Sequence, residues 1–194
     1  MSFIKRTAIC KKSLFFAFYL FVFSSFAFSQ QLRAGLYGSS QFPLGEVSDY
    51  YSNVVAEGVS AELSLMDNFG LLARFQFAVA LPKDERILYT KQFTQSLGLW
   101  YSLKFGESGF SFEPSVEAGC MVQESNVIQQ AGSLPNKLYF DLAVQVNPSI
   151  RFSHPKFLDN RVELDLSPVV TVVPQKESVL TYIGARIGLL YLFK

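Results

Sequence analysis

Hydrophobic and polar residues alternate along most of this chain after residue 30. The clearest segment is 138–152, in which every even position is apolar and the odd positions between them are mostly polar. Segments 71–81 and 162–172 show the same period of two. A helix returns its apolar residues every three or four positions, so these segments are predicted to be β-strands. Eight strands are predicted in all, at 31–40, 55–65, 71–81, 92–105, 110–123, 137–152, 161–173 and 178–193.

The connections between the predicted strands differ in length in a regular way. The turns at 66–70 and 106–109 are short and contain glycine, whereas connections 41–54 and 124–136 are longer and polar. Short turns on the side of the termini and longer loops opposite are typical of membrane barrels. The predicted fold is therefore all-β, an eight-stranded antiparallel up-and-down transmembrane β-barrel over residues 30–194.

A soluble lipocalin-like barrel, with its apolar face turned inward, is the alternative for the same alternation. The polar face favours the membrane arrangement, because small residues such as Ser60, Ala78 and Gly98 occupy its mid-strand positions, whereas soluble surfaces are rich in Lys and Glu. The apolar face is expected to be large, branched and uncharged, with aromatic residues toward its ends, as in a lipid-facing band. An eight-stranded barrel has little room inside, so the small residues belong there.

The first 29 residues have the composition of an export signal. They hold four of the 17 cations of the chain and no acid, followed by an apolar stretch from Leu14 to Phe28. Ala27 and Ser29 are the small residues of a signal-peptidase site, which predicts a mature chain that begins at Gln30. An uncleaved anchor helix is the alternative, although the stretch is short for a bilayer span. The remaining 13 cations and 16 acids leave a net charge of −3, which gives no basic patch for nucleic acid.

The last nine residues contain a specific motif. Arg186, Gly188, Tyr191 and Phe193 follow the spacing of a polar residue, a glycine and two aromatic residues. This resembles the insertion signal of bacterial outer-membrane proteins, and the chain as a whole resembles the small OmpA, OmpX and OmpW-type barrels. The resemblance implies an outer-membrane location and, as partners, outer-membrane lipid and the barrel-assembly machinery. Lys194 departs from the pattern, since such chains usually end on the aromatic residue, and an ordinary amphipathic last strand is the alternative.

Charged residues on the polar face are predicted to neutralise one another inside the barrel, because a buried unpaired charge is costly. Arg186 on the last strand is expected to pair first with Glu163 and Asp165 on its neighbour. The predicted lumen residues are Arg74, Glu113, Glu117, Asp141, Arg151, Glu163, Asp165 and Arg186, together with Glu62 and Lys104.

Catalytic chemistry is not indicated by the sequence. Paired carboxylates such as Glu113 and Glu117 suit acid–base catalysis, but a structural charge network is the simpler interpretation. Enzymes among small outer-membrane barrels act at the outer rim, whereas the one histidine, His154, is predicted in a turn on the periplasmic side. No catalytic residue, cofactor or metal site is predicted.

Three prolines and one tryptophan do not fit the regular pattern. Pro114, Pro148 and Pro168 fall on the apolar face of consecutive strands, which predicts a bulge or an irregular seam. Trp100 falls on the lumen side, where a large ring is unexpected, so a bulge in the fourth strand is predicted.

Two functions remain open from the sequence. The first is a monomeric, non-enzymatic barrel with a structural or surface-interaction role, a closed lumen filled with charge, and contacts to surface ligands through loops 41–54 and 124–136. The alternative is a narrow channel for small or apolar solutes across the outer membrane.

Overall fold

The computed structural model of this chain describes residues 31–83, 90–106, 108–125, 128–129, 132–133, 137–154, 161–175 and 179–193. The predicted signal peptide, its cleavage site at Ala27 and Ser29, and Lys194 lie outside the described residues. Within the described ranges, no helix is both long and apolar enough to cross a membrane.

Eight long strands follow the predicted ones in order along the described chain. Three short strands accompany them: Leu103–Lys104 pairs with the fifth strand, and Ile128–Gln129 pairs with Gly132–Ser133. The bounds of the long strands are β1 (Leu32–Leu44), β2 (Tyr51–Met66), β3 (Phe69–Pro82), β4 (Thr90–Tyr101), β5 (Phe110–Ser125), β6 (Lys137–Ser153), β7 (Val162–Pro174) and β8 (Val179–Phe193).

These strands form one closed antiparallel sheet. Each strand pairs with its neighbours in the chain, and β1 pairs with β8 from Leu32 opposite Phe193 to Leu44 opposite Thr181. Closure pairs every long strand on both sides, which is what a sheet in an apolar solvent requires. The prediction of an all-β, eight-stranded antiparallel up-and-down barrel is confirmed.

The predicted strand boundaries are wrong at the rim far from the termini. β1 continues to Leu44 and β2 begins at Tyr51, so the predicted loop 41–54 is reduced to six residues that form a 3-10 turn over Gly45–Asp49 and end at Tyr50. The strands extend beyond their predicted bounds because the backbone pairing of β1 with β8 continues to Leu44 and that of β2 with β3 begins at Tyr51.

The barrel has an apolar exterior and a largely polar interior, the reverse of a soluble protein. Leu36, Ile150 and Ile187 on the outer face each expose more than half of their surface, whereas Asn147 and Ser149 on the inner face expose at most 1%. A lipocalin-like barrel would bury the apolar face instead. The outer face is therefore a surface for lipid, as the sequence predicts.

One expectation about these faces is wrong. The outer face is not uncharged, because Glu57 lies on it, exposed, between Val55 and Val59 of β2. The inner face also holds the buried rings of Tyr37 and Tyr182 among its smaller residues. Gly58 and Gly188 are opposite Tyr37, and this leaves room for its ring in the narrow lumen.

The bulge predicted at Trp100 is absent. β4 pairs with β3 and β5 around Trp100 without a register shift. The ring is 2% exposed and lies inside the barrel, where its indole N–H donates to the carbonyl oxygen of Leu71 at 3.1 Å. The indole N–H therefore has a hydrogen-bond partner, as that of a buried tryptophan usually does.

The three prolines mark an irregular seam in the barrel wall. Pro114 is opposite Pro148, and no backbone pair joins residues 147–149 of β6 to 167–169 of β7, although the described pairs on both sides keep one register. That register places Pro148 opposite Pro168. Neither proline has an N–H to donate, so the hydrogen-bond ladder is interrupted there without a bulge.

Candidate functional site

A layer of ion pairs fills the lumen near the termini end, the end at which β1 begins and β8 finishes. Arg151 on β6 donates to both carboxylate oxygens of Glu62 on β2, at 2.5 and 2.6 Å. β2 and β6 are four strands apart in a closed sheet of eight, so this pair spans the lumen. Arg151 also lies 2.6 Å from Glu113 and 3.7 Å from Asp165. One guanidinium thus connects β6 with three other strands.

Arg33 on β1 is the second arginine of this layer and is missing from the predicted network. Its Nη1 donates to Glu113 on the opposite wall at 2.9 Å, and its guanidinium lies 3.4 Å from Glu163 and 3.6 Å from Glu62. The guanidinium carbon is 5.1 Å from the centre of the Trp100 ring, a cation–π distance. The alternation of β1, whose odd positions face inward, is the signal that identifies Arg33 from the sequence.

The acids of this layer outnumber its arginines. Glu113 is the best satisfied, because the hydroxyls of Ser102 and Ser111 donate to it at 2.9 and 3.1 Å in addition to the two arginines. Each of the acidic side chains is at most 13% exposed, so their charges depend on the arginines for compensation. Two arginines, Arg33 and Arg151, face four carboxylates: Glu62, Glu113, Glu163 and Asp165.

A second ion pair lies in the middle of the lumen. Arg74 on β3 forms an ion pair with Glu117 on β5. The same carboxylate accepts hydrogen bonds from the Ser96 hydroxyl at 2.8 Å and from the Asn147 amide at 2.6 Å. Tyr37 lies beside it, with the guanidinium carbon of Arg74 5.8 Å from its ring centre. This cluster lies at mid-height in the lumen.

The expected first partner of Arg186 is wrong. Arg186 takes part in none of the ion pairs among the described residues, and its register partner on β7 is Ser167, whereas Asp165 is opposite Gly188. Its guanidinium carbon is 5.3 Å from the ring centre of Tyr37 instead. Tyr37 lies on β1, the other neighbour of β8, so the Arg186 side chain turns toward β1 and away from the carboxylates of β7.

Two more charged residues lie away from the ion-pair layer. Asp141 is near the loop end, the end opposite the termini, and accepts a hydrogen bond from the Gln175 amide at 3.1 Å. Lys104 is exposed just past β4, at the termini end. Both occupy inward positions of the alternation but lie near the ends of their strands, where solvent is accessible.

An apolar cluster lies in the lumen at the loop end. Tyr51 and Leu180 pack against this cluster, and the Tyr51 hydroxyl shares a 2.7 Å hydrogen bond with the Thr90 hydroxyl. Buried polar side chains, among them Gln41, Gln92 and Thr171, lie beside it. The buried apolar residues of this layer are Val54, Ala56, Ala78, Ala80, Met121, Ala143, Val173 and Tyr182.

Gly58 makes room for the Tyr37 ring, and this contact can be tested. A Cβ at Gly58 would meet the carbonyl oxygen of Phe75 and lie 2.6 Å from the Tyr37 ring, whereas one at Gly38, on the outer face, would meet only a carbonyl oxygen of Ala56 at 3.8 Å. We expect Gly58→Ala to lower the free energy of unfolding by about 1–3 kcal/mol through overpacking. Gly38→Ala, the matched control, should change it by less than about 0.5 kcal/mol. Equal effects in urea unfolding would contradict the interior contact.

The four residues of the C-terminal motif divide between the two faces of β8. Arg186 and Gly188 face the lumen, whereas Tyr191 and Phe193 face outward at the termini end. The two rings form an edge-to-face pair with centres 4.9 Å apart. Phe193 is opposite Leu32, the first residue of β1, so the motif lies where the barrel closes.

Metal-binding chemistry is not apparent in the part of the chain that the structure describes, where no group of three or more His, Cys, Asp or Glu side chains suits an ion. The lumen arginines and carboxylates form ion pairs that join different strands of the barrel. His154 follows the end of β6 at the termini end, away from the loop end.

No protein-family model matches the sequence, and a search of curated proteins found no match. Solved structures are similar in fold. Neisserial surface protein A has a TM-score of 0.57 at 10% identity, covering 84% of this chain and 97% of that one. Ail, the attachment invasion locus protein of Yersinia pestis, has a TM-score of 0.57 at 12% identity, covering 86% and 100%. Ail in complex with the heparin analogue sucrose octasulfate has a TM-score of 0.55 at 10% identity, with the same coverage.

At these identities the likeness concerns the fold. This chain has the fold of the small eight-stranded barrels of bacterial outer membranes. The apolar exterior described above is an independent, physical indication of the same class of protein.

Proposed function

We propose that the mature chain, from Gln30 onward, is a monomeric, non-enzymatic protein of the bacterial outer membrane with a structural or surface-interaction role. Its lumen is closed to solutes. The observation that carries the closed lumen is the pair Arg151–Glu62, which joins opposite walls at 2.5 and 2.6 Å. The mid-lumen pair of Arg74 with Glu117 and the apolar layer at the loop end support it. An eight-stranded barrel is only wide enough to hold such side chains.

Conductance in planar bilayers tests the closed lumen. We expect the refolded protein to show no steps of the size that porins give, because side chains occupy the lumen at three levels. Refolding is checked in the same sample by the shift in gel mobility between folded and boiled protein. Stable, porin-sized steps from folded protein would refute the closed lumen.

The loop end offers the surface for an interaction. Phe42, Leu44 and Tyr50 each expose about half of their surface there. Tyr50 is available for contacts, whereas Tyr51 is bound to Thr90 beneath it. This end favours an apolar or aromatic contact to a partner in or near the outer leaflet.

A polyanion such as the heparin analogue bound by Ail is less suited to this chain. Connections 45–50, 83–89, 126–136 and 175–178 contain three cations and five acids, a net charge of −2. Sulfated ligands are held by clusters of arginine and lysine. The charged residues concerned are Lys83, Arg86 and Lys176 against Glu46, Asp49, Asp84, Glu85 and Glu177.

A narrow path for apolar solutes is the second candidate, and the interrupted ladder at Pro148 and Pro168 favours it. A lateral opening needs a place where the barrel wall is weakly hydrogen-bonded. Pro148 and Pro168 provide such a place, because neither has a backbone N–H to donate. The double variant Pro148→Val/Pro168→Val restores both donors. The closed barrel predicts equal uptake of an apolar fluorescent solute by cells with either protein. Lower uptake with the double variant would favour the lateral path instead.

A further inference from the structure

Glu57 is a charged residue in the middle of the lipid-facing surface. It lies on β2 between Val55 and Val59, both of which expose more than two fifths of their surface to the outside. Its partners on the adjacent strands are Gly38 of β1 and Phe77 of β3. The carboxylate therefore has apolar or small neighbours on all four sides of the outer face.

The depth of Glu57 is that of the apolar band. On β1, the outward residue Phe42 lies four positions beyond Gly38 toward the loop end, and Leu32 lies six positions back toward the termini end. At a typical rise of about 3.3 Å per residue, Gly38 lies about 13 Å along the strand from Phe42 and about 20 Å from Leu32. Glu57, directly opposite Gly38, is at a comparable depth.

A carboxylate at this depth is unfavourable in lipid alone, and charged residues there usually have a partner. Glu57 takes part in none of the ion pairs among the described residues. The lumen arginines are on the other side of the wall. We therefore expect a positive charge from outside the barrel to compensate this carboxylate.

The surface beside Glu57 also has a shape that lets another protein approach it closely. A side chain at Gly38 would meet only one carbonyl oxygen, at 3.8 Å, so the glycine leaves an open notch on the outer face. The next outward residue of β1, Ser40, is small and hydroxylated and is opposite Val55. Small residues of this kind allow transmembrane elements to pack closely.

We propose that the Glu57 surface, formed by Gly38, Ser40, Val55, Glu57 and Val59, docks a membrane-embedded partner protein that presents a lysine or arginine at this depth. Charge complementarity selects this occupant, because attraction between unlike charges is strong where water is excluded. A second copy would bring another carboxylate to the same place, and lipid chains would bring no charge.

Photo-crosslinking in intact cells tests the docking surface. With p-benzoylphenylalanine at Val59, we expect one discrete protein adduct whose yield falls at least tenfold in the Glu57→Gln variant. Moving the carboxylate to β4, in Glu57→Gln/Gln95→Glu, should not restore the adduct, because Gln95 faces outward elsewhere on the barrel. Once the partner is identified, changing its contacting cation to glutamate should abolish the adduct, and Glu57→Lys should then restore it.

Several outcomes would overturn the proposal. These are the absence of a protein adduct, an adduct with lipid or with a second copy, insensitivity to Glu57→Gln, and failure of the charge swap. Purified Glu57→Gln protein separates docking from a structural role. It should unfold at the same or a higher urea concentration than the wild type, whereas a lower midpoint would assign Glu57 to the stability of the barrel itself and refute the docking role.

Discussion

Replacing Arg151 with leucine is expected to lower the free energy of unfolding of the barrel by about 3–5 kcal/mol, because removing one member of a buried ion pair leaves the other uncompensated. Arg151 lies within 3.7 Å of three carboxylates, and its side chain is 3% exposed. Arg33 alone would then face four acids. The single tryptophan, Trp100, lies beside this layer and reports unfolding by fluorescence during urea titration in micelles or vesicles.

Two variants control for the loss of any buried arginine. Arg186→Leu removes a cation that has no ion pair among the described residues and should cost clearly less than Arg151→Leu. Adding Glu62→Gln to Arg151→Leu should recover part of the loss, because it removes the carboxylate to which Arg151 donates twice. Equal losses for Arg151→Leu and Arg186→Leu, or no recovery in the double variant, would reject the ion-pair layer as a source of stability.

The Phe193→Asp variant is expected to lose most of its assembled protein in cells, with unfolded chain degraded in the periplasm. Phe193 is 48% exposed at the outer edge of β8, where a carboxylate costs little in membrane energy. A large loss would therefore reflect failed recognition by the assembly machinery. The measurement is the amount of folded, heat-modifiable protein in outer-membrane fractions.

Refolding in detergent separates recognition from stability for Phe193. The purified Phe193→Asp chain should still refold in micelles, where no assembly machinery takes part. Phe193→Tyr keeps an aromatic ring and should assemble normally in cells. Normal outer-membrane levels of folded Phe193→Asp protein would show that the C-terminal motif is coincidental.

The strand count and the two faces follow from the sequence because the information is local. Side chains alternate strictly in a strand, so a residue such as Asn147 or Ile150 is assigned to its face by its neighbours alone. Strand ends were less predictable. β1 extends to Leu44 and β2 begins at Tyr51 because residues of other strands continue the pairing there. The local sequence pattern does not reveal these longer-range pairs.

The members of the lumen network were largely predictable from their inward positions, but their pairing was decided by the tertiary structure. Arg151 and Glu62 are 89 residues apart, and Arg33 and Glu113 are 80 apart. Which of them meet depends on barrel closure, which sets walls four strands apart face to face. Adjacency along the chain pointed instead to Arg186 with Asp165, and that pair is not formed, because the Arg186 side chain lies against the Tyr37 ring on β1, the other neighbour of β8.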